Sequence, residues 1–286
     1  DYRIRHAQYR TDPDLQALHA ALPVIAVWDD HEIANDTWRD GAENHSEGLE
    51  GLFTERRAAA IKAYHEWMPT RVTDPAQPER IYRSFRFGNL LSLHMLDTRV
   101  IGRDRQMDYA DYFGATGFDG ARFADDLADP NRTLLGVEQN DWLGLQLAQS
   151  DTTWDLLGQQ VLMGRMNIPA PLVLGQISFS AYSALVVKAQ TAPATLTPQE
   201  QAVLAQPAIP YNLDAWDGYA VARETVLGTA RALDKNLVVL SGDTHNAWAS
   251  DLADYAGRAV GVEFATPGVT SPGFEEYFPS ENPLAV

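Results

Sequence analysis

Pro23-Val24-Ile25-Ala26-Val27-Trp28 runs directly into Asp29-Asp30-His31-Glu32, an uncharged stretch stopping in a block of ionisable residues. The apolar run is too short for a typical helix and reads as a buried strand. Open α/β sheets place their sites just beyond the ends of such strands, where the chain leaves the core and can carry charge. The design recurs late in the chain: Asn236 to Leu240 is apolar and ends in Ser241-Gly242-Asp243-Thr244-His245. The two acid-His clusters are expected to converge at one edge of a sheet.

Working outward, helices and strands alternate. Pro13 to Ala21 reads as a helix with Asp12 as its cap and Pro13 at its first position. Glu50 to Met68 has helical composition and Pro69 stops it. Ile81 to Phe87 alternates as a half-exposed strand, Gly88-Asn89 is a hairpin turn, and Leu90 to Leu96 is a strand leading into Asp97-Thr98-Arg99. Arg99 to Arg132 is expected to be a long loop bordering a site. Val137 to Gln149 is helical, Trp154 to Met163 a buried strand, Asp217 to Leu233 a helix, and Arg258 to Ala265 a last strand before the turn-rich Thr266 to Gly273. The alternation predicts an α/β fold over residues 1–286, interrupted at 169–210 by an insertion or lid of irregular Pro, Gly, Ala and Thr content.

The 286 residues, 45% hydrophobic, suffice for a substantial core. A formal charge of -17 argues against a nucleic acid as a stable partner, because phosphate polymers are repelled. A small phosphorylated substrate needs only local cations, and bound metal ions invert the field where they sit. With no cysteine, disulfides, thiolate nucleophiles and zinc-thiolate sites are excluded. No stretch has the length of an apolar membrane span. The chain opens on Asp1-Tyr2-Arg3 and ends in Ser280 to Val286, and it is expected to be incomplete at both ends.

Asp30, His31, Asp243 and His245 together offer mixed oxygen and nitrogen ligands of the kind found in bimetal hydrolytic centres. Carboxylates favour calcium, magnesium or manganese, and imidazole adds affinity for iron, zinc or manganese. Either cluster alone reads equally well as a helix cap and a satisfied histidine; the pair shifts the balance toward a site. Asn35 is a further candidate ligand or a turn residue. Glu32 or Asp29 is positioned to hold the His31 ring.

Trp28 to Trp38, Leu96-Asp97-Thr98-Arg99, Leu156 to Gln160, Ser241 to Asn246 and Glu263 to Gly268 resemble, in combination, the alkaline phosphatase D family of calcineurin-like metallophosphoesterases. The resemblance implies a four-layer α-β-β-α sandwich with a binuclear or trinuclear centre, Asp30, Asp243 and His245 as metal ligands, and a metal-bound hydroxide attacking phosphorus. It also implies Ca2+ with Fe3+, alongside Mn2+, Mg2+ or Zn2+, and a periplasmic or secreted location. His31 would assist the leaving group of a phosphate mono- or diester. Arg99 and Arg103 would grip phosphate oxygens, with a surface salt bridge as the alternative for Arg103. Gln159 and Gln160 are either core-edge hydrogen bonders or stand-ins for a ligand the superfamily carries between its main blocks.

One departure matters. The family's Gly-Asp-x-x-Tyr block, which bridges the metals, does not occur in this sequence. A second chain or segment is expected to complete the site. The first rival reading is a catalytically incomplete phosphoesterase-like binding module. The second is a metal-free ester or lactone hydrolase, for which the sequence offers no Gly-x-Ser-x-Gly elbow and no evident nucleophile.

Overall fold

The computed structural model describes residues 2–273 apart from positions 69, 73 and 116. The readings at Pro69 and at Ser280 to Val286 lie outside the described residues. Six strands form one mixed sheet: β1 (Arg83–Phe87), β2 (Leu91–Met95), β3 (Trp154–Gly158), β4 (Leu237–Ser241), β5 (Trp248–Ala253) and β6 (Ala259–Ala265). Their spatial order is β1-β2-β3-β4-β6-β5. The inner strands β2, β3, β4 and β6 run parallel, and an antiparallel strand closes each edge. The α/β class expected from the alternation is therefore the observed one.

The helices that accompany the sheet include α1 (Tyr2–Tyr9), α2 (Pro13–Ala21), α3 (Phe53–Trp67), α4 (Gly136–Gln149), α5 (Phe179–Thr191) and α6 (Ala220–Ala232). Asp12 caps α2 as expected, its carboxylate accepting from the Asp14 and Leu15 amides at 2.9 Å. In α3 the buried residues Phe53, Ala60, Ile61 and Tyr64 recur at helical spacing. They pack with Trp28, Ile33 and Ile81 in one apolar cluster. The larger cluster joins β3 and β4 to α4 and α6 through Leu157, Val239, Leu143, Leu147 and Leu227. Each such leucine contributes roughly 1.5–3 kcal/mol by leaving water. None of the helices is long and apolar enough to cross a membrane, among the described residues.

Three expectations are corrected. Pro23 to Trp28 is not a strand: among the described residues it pairs with no ladder, and Val24 and Ile25 are 40% and 36% exposed. A strand needs a neighbouring backbone to satisfy its amides and carbonyls. Here side chains serve instead, Arg83 donating to the Ala26 carbonyl at 2.7 Å and Gln160 to the Trp28 carbonyl at 2.7 Å. Arg99 to Arg132 is not a structureless loop, since it holds a short helix at Gly120–Leu127 around its own cluster of Met107, Tyr112 and Phe123. The strand expected to reach Met163 ends at Gly158.

Residues 169–210 contain α5 and two shorter helices, Ala170–Val173 and Pro198–Leu204. A two-stranded antiparallel ribbon ties the ends of this excursion together, with Asn167 opposite Pro210 and Pro169 opposite Ala208.

Candidate metal centre

The centre is built on two turns that deliver acids to one place. Asp30 is buried, and its carboxylate accepts from the His31 amide at 2.8 Å and the Asp36 amide at 2.9 Å. These bonds wrap the chain around its side chain. On the other side β4 ends and the backbone turns through Asp243 and His245, both left-handed with φ of 64° and 58°. Asp and His tolerate this conformation better than bulkier residues, although it still costs free energy. Ser241, just ahead of the turn, donates to the buried Glu263 at 2.9 Å, and the same carboxylate accepts from the Met163 and Gly164 amides.

One carboxylate oxygen from each of Asp29, Asp30 and Asp243 lies within 4.8 Å of the others. Behind them sits Arg99, fully buried. Its presentation follows from the Leu96-Asp97-Thr98-Arg99 turn, where the Asp97 carboxylate accepts from the amides of Arg99, Val100 and Ile101. Arg99 then donates to Asp29 at 2.7 Å, to Asp243 at 2.6 Å and to both oxygens of Asp214 at 2.8 and 2.9 Å. Arg103 is also fully buried and pairs with Asp214, its guanidinium 4.9 Å from the Tyr219 ring.

Four carboxylates thus face two guanidiniums, an excess of negative charge in a place of low polarity. Burial opposes ionisation of Asp214, but Arg103 and Arg99 overcome it and hold that carboxyl below its usual range. Burial pushes Asp29 up, with Asp30 and Asp214 adding repulsion against the pull of Arg99. Burial likewise raises Asp243 well above the usual range despite Arg99. Asp36 is raised to about 6 by burial and by Asp214. An over-supplied set of hard oxygen donors suits a cation that would restore the ionised state of Asp29 and Asp243.

The expected residues separate. Asp30 and Asp243 meet, and Asp29, read from sequence as a partner for the His31 ring, joins them instead. His31 stands at the rim, its side chain 74% exposed and its Nε2 3.8 Å from Asp30. Neither Asp29 nor Glu32 is described as holding its ring; Glu32 accepts from the Asp29 amide at 2.8 Å. His245 is outside the acidic trio, its Nδ1 3.0 Å from the Pro272 carbonyl. Asn35 is outside it too and donates its side-chain amide to Glu43. Arg99 spends its nitrogens on Asp29, Asp214 and Asp243, and Arg103 its two terminal nitrogens on the Thr98 carbonyl and Asp214, while the buried Arg103 Nε has no hydrogen-bond partner among the described residues.

Gln159 and Gln160 are core-edge hydrogen bonders. Gln160 accepts from the Thr98 amide and hydroxyl and donates to the Trp28 and Leu96 carbonyls, while Gln159 accepts from the Trp216 indole. Sequence reading missed Asp214, whose only local signal is an acid just ahead of the Trp216–Tyr219 turn of helix. Two cavities flank the centre, one of about 490 Å³ beside Asp36, Trp38 and Asp214, the other of about 350 Å³ beside Asp243 and His245. Tyr211 and Asn212 line both.

Against known proteins, residues 1–284 match the family model described as PhoD-like phosphatase. Alkaline phosphatase D of Bacillus subtilis (strain 168) is 36% identical over 281 residues, covering 96% of this chain and 40% of that protein. A solved structure described as "Structure of PhoD" superposes with a TM-score of 0.68 at 35% identity, covering 94% of this chain and 44% of its own. The chain therefore spans less than half the length of these relatives. The match over nearly every residue places the chain in the PhoD-like phosphatase family.

Proposed function

We propose that this chain carries the greater part of a metal-dependent site that hydrolyses phosphate mono- or diesters. The observation that supports this best is the convergence of Asp29, Asp30 and Asp243 with charge to spare. Those three would hold the cation, and its all-oxygen surroundings favour hard ions such as Ca2+, with Fe3+, Mn2+, Mg2+ and Zn2+ as competitors. Bound there, it would supply Lewis-acid neutralisation of phosphoryl charge and activation of a water nucleophile.

The chain's own residues do the rest. Arg99 holds Asp29 and Asp243 in one orientation from behind, so their outer oxygens need not reorganise when charge develops. His31, exposed at the rim, is placed to give a proton to the leaving alkoxide. The excursion at 169–210 serves as a lid, because Tyr211 and Asn212, which follow it directly, line both cavities. A periplasmic or secreted location, and completion of the site by a further chain or segment, belong to the same reading and rest on the family resemblance.

A second reading, a binding module without turnover, is favoured by one observation: Arg99 already pairs with two of the three acids. Elemental analysis of the purified chain, with hydrolysis of nitrophenyl phosphate and bis-nitrophenyl phosphate before and after chelation, separates the two. Bound metal with chelator-sensitive turnover is the expected result. Bound metal without turnover leaves the binding module, and a folded chain with neither sinks both.

A further inference from the structure

Apart from this chemistry, three side chains on adjacent strands line up. Ser84 on β1 lies directly opposite His94 on β2, and the Ser84 hydroxyl is 2.7 Å from His94 Nδ1. His94 Nε2 is 3.3 Å from the Asp155 carboxylate on β3. His94 and Asp155 are buried, whereas Ser84 is exposed. With Asp155 accepting from Nε2–H, the ring keeps Nδ1 free as the acceptor for the serine proton. A nucleophile open to solvent, a base at hydrogen-bonding distance and a buried acid orienting that base are the parts of a serine hydrolase relay.

We propose that Ser84, His94 and Asp155 form a second catalytic centre, independent of the acidic trio, that hydrolyses short-chain acyl esters. Ser84 is exposed on the edge strand, so an ester reaches it from solvent, and Ser84 also borders a cavity of about 410 Å³ that extends along that edge. Among the described residues β1 is the edge of the sheet, and its outward amides have no ladder partner there. Those amides supply donors for a developing oxyanion. Burial holds His94 below the usual histidine range, against the pull of Asp155, which keeps the ring neutral and able to accept.

The step balances within these groups and water. The Ser84 oxygen bonds to the acyl carbon as its proton passes to His94 Nδ1. The ester C–O bond then breaks, and the leaving alcohol takes that proton. Water attacks the acyl-serine, gives a proton to His94, and releases the carboxylic acid as the serine hydroxyl is restored.

The test uses the full chain with chelator present, which silences the phosphoesterase. It is treated with a fluorophosphonate probe, mapped by peptide mass spectrometry, and assayed with nitrophenyl acetate. The expected result is an adduct on Ser84 and turnover that survives chelation and falls by ~100-fold or more in Ser84→Ala. Loss of the adduct in a folded His94→Asn supports the same relay. An unmodified Ser84, or nitrophenyl acetate turnover unchanged in Ser84→Ala, overturns the proposal. Metal-dependent hydrolysis of nitrophenyl phosphate is expected to be unchanged in Ser84→Ala, so the two activities stand or fall separately.

Discussion

Asp29-Asp30-His31-Glu32 and Asp243-Thr244-His245 are near twins in sequence, yet they are held in opposite ways. The second follows β4, which is paired in parallel on both sides and lies in the main core. The first follows a segment with no ladder among the described residues, held by Trp28 in a side cluster and by bonds from Arg83 and Gln160. The difference teaches that an acid can be delivered to a site by a sheet or by side chains alone. In the second case the anchoring lies far away in sequence.

Arg99 links the two halves, and its loss should do the most damage. Arg99→Met would leave Asp29, Asp214 and Asp243 buried without their shared cation, costing ~3–5 kcal/mol in urea unfolding. Calcium should return part of that stability, and no recovery at saturating calcium would count against the trio as a cation site. Leu237→Ala, on the sheet-held side, should cost ~2–5 kcal/mol, whereas Ile25→Ala, on the other side, should stay near ~0.5 kcal/mol or less. Equal costs would erase the contrast. Gln160→Ala should cost ~1–3 kcal/mol by stranding the Trp28 carbonyl and the Thr98 amide, and should lower metal affinity more than Ile25→Ala does.

The smallest effect concerns pH. Asp36 titrates at about 6 in the folded chain and near 4 when unfolded, so the folded state holds a proton that the unfolded state has released. Its contribution is therefore present below about pH 4 and lost as pH rises through about 6. Thermal melting under chelation should show a shallower decline over that window in Asp36→Asn than in the parent.

The strands β1 to β4 and β6, the hairpin at Gly88-Asn89 and the Asp12 cap were legible because each is written locally, in apolar runs and turn residues. β5 was not, since Trp248-Ala249-Ser250-Asp251-Leu252-Ala253 is short and mixed; it is a strand because β6 offers an edge. α1 was missed because its charged residues leave no apolar stripe, and none of its residues is buried. Within the site, Asp30 and Asp243 were readable from their place after apolar runs. The burial of Arg99 was not, because an arginine after a strand looks like a phosphate grip until Asp214, 115 residues away, is brought against it. His245 illustrates the converse, since adjacency to Asp243 in sequence does not carry its ring into the trio once the backbone turns left-handed between them.

The ribbon that pairs Asn167 with Pro210 makes the intervening residues a cartridge. Because the two ends meet at ladder distance, about 5 Å, the excursion can lengthen, shorten or be exchanged without displacing Asp214 or the strands behind it. Length and sequence can thus vary inside the excursion while the acids are held by other contacts, and a short turn grafted between Asn167 and Pro210 is a replacement the rest of the fold should tolerate.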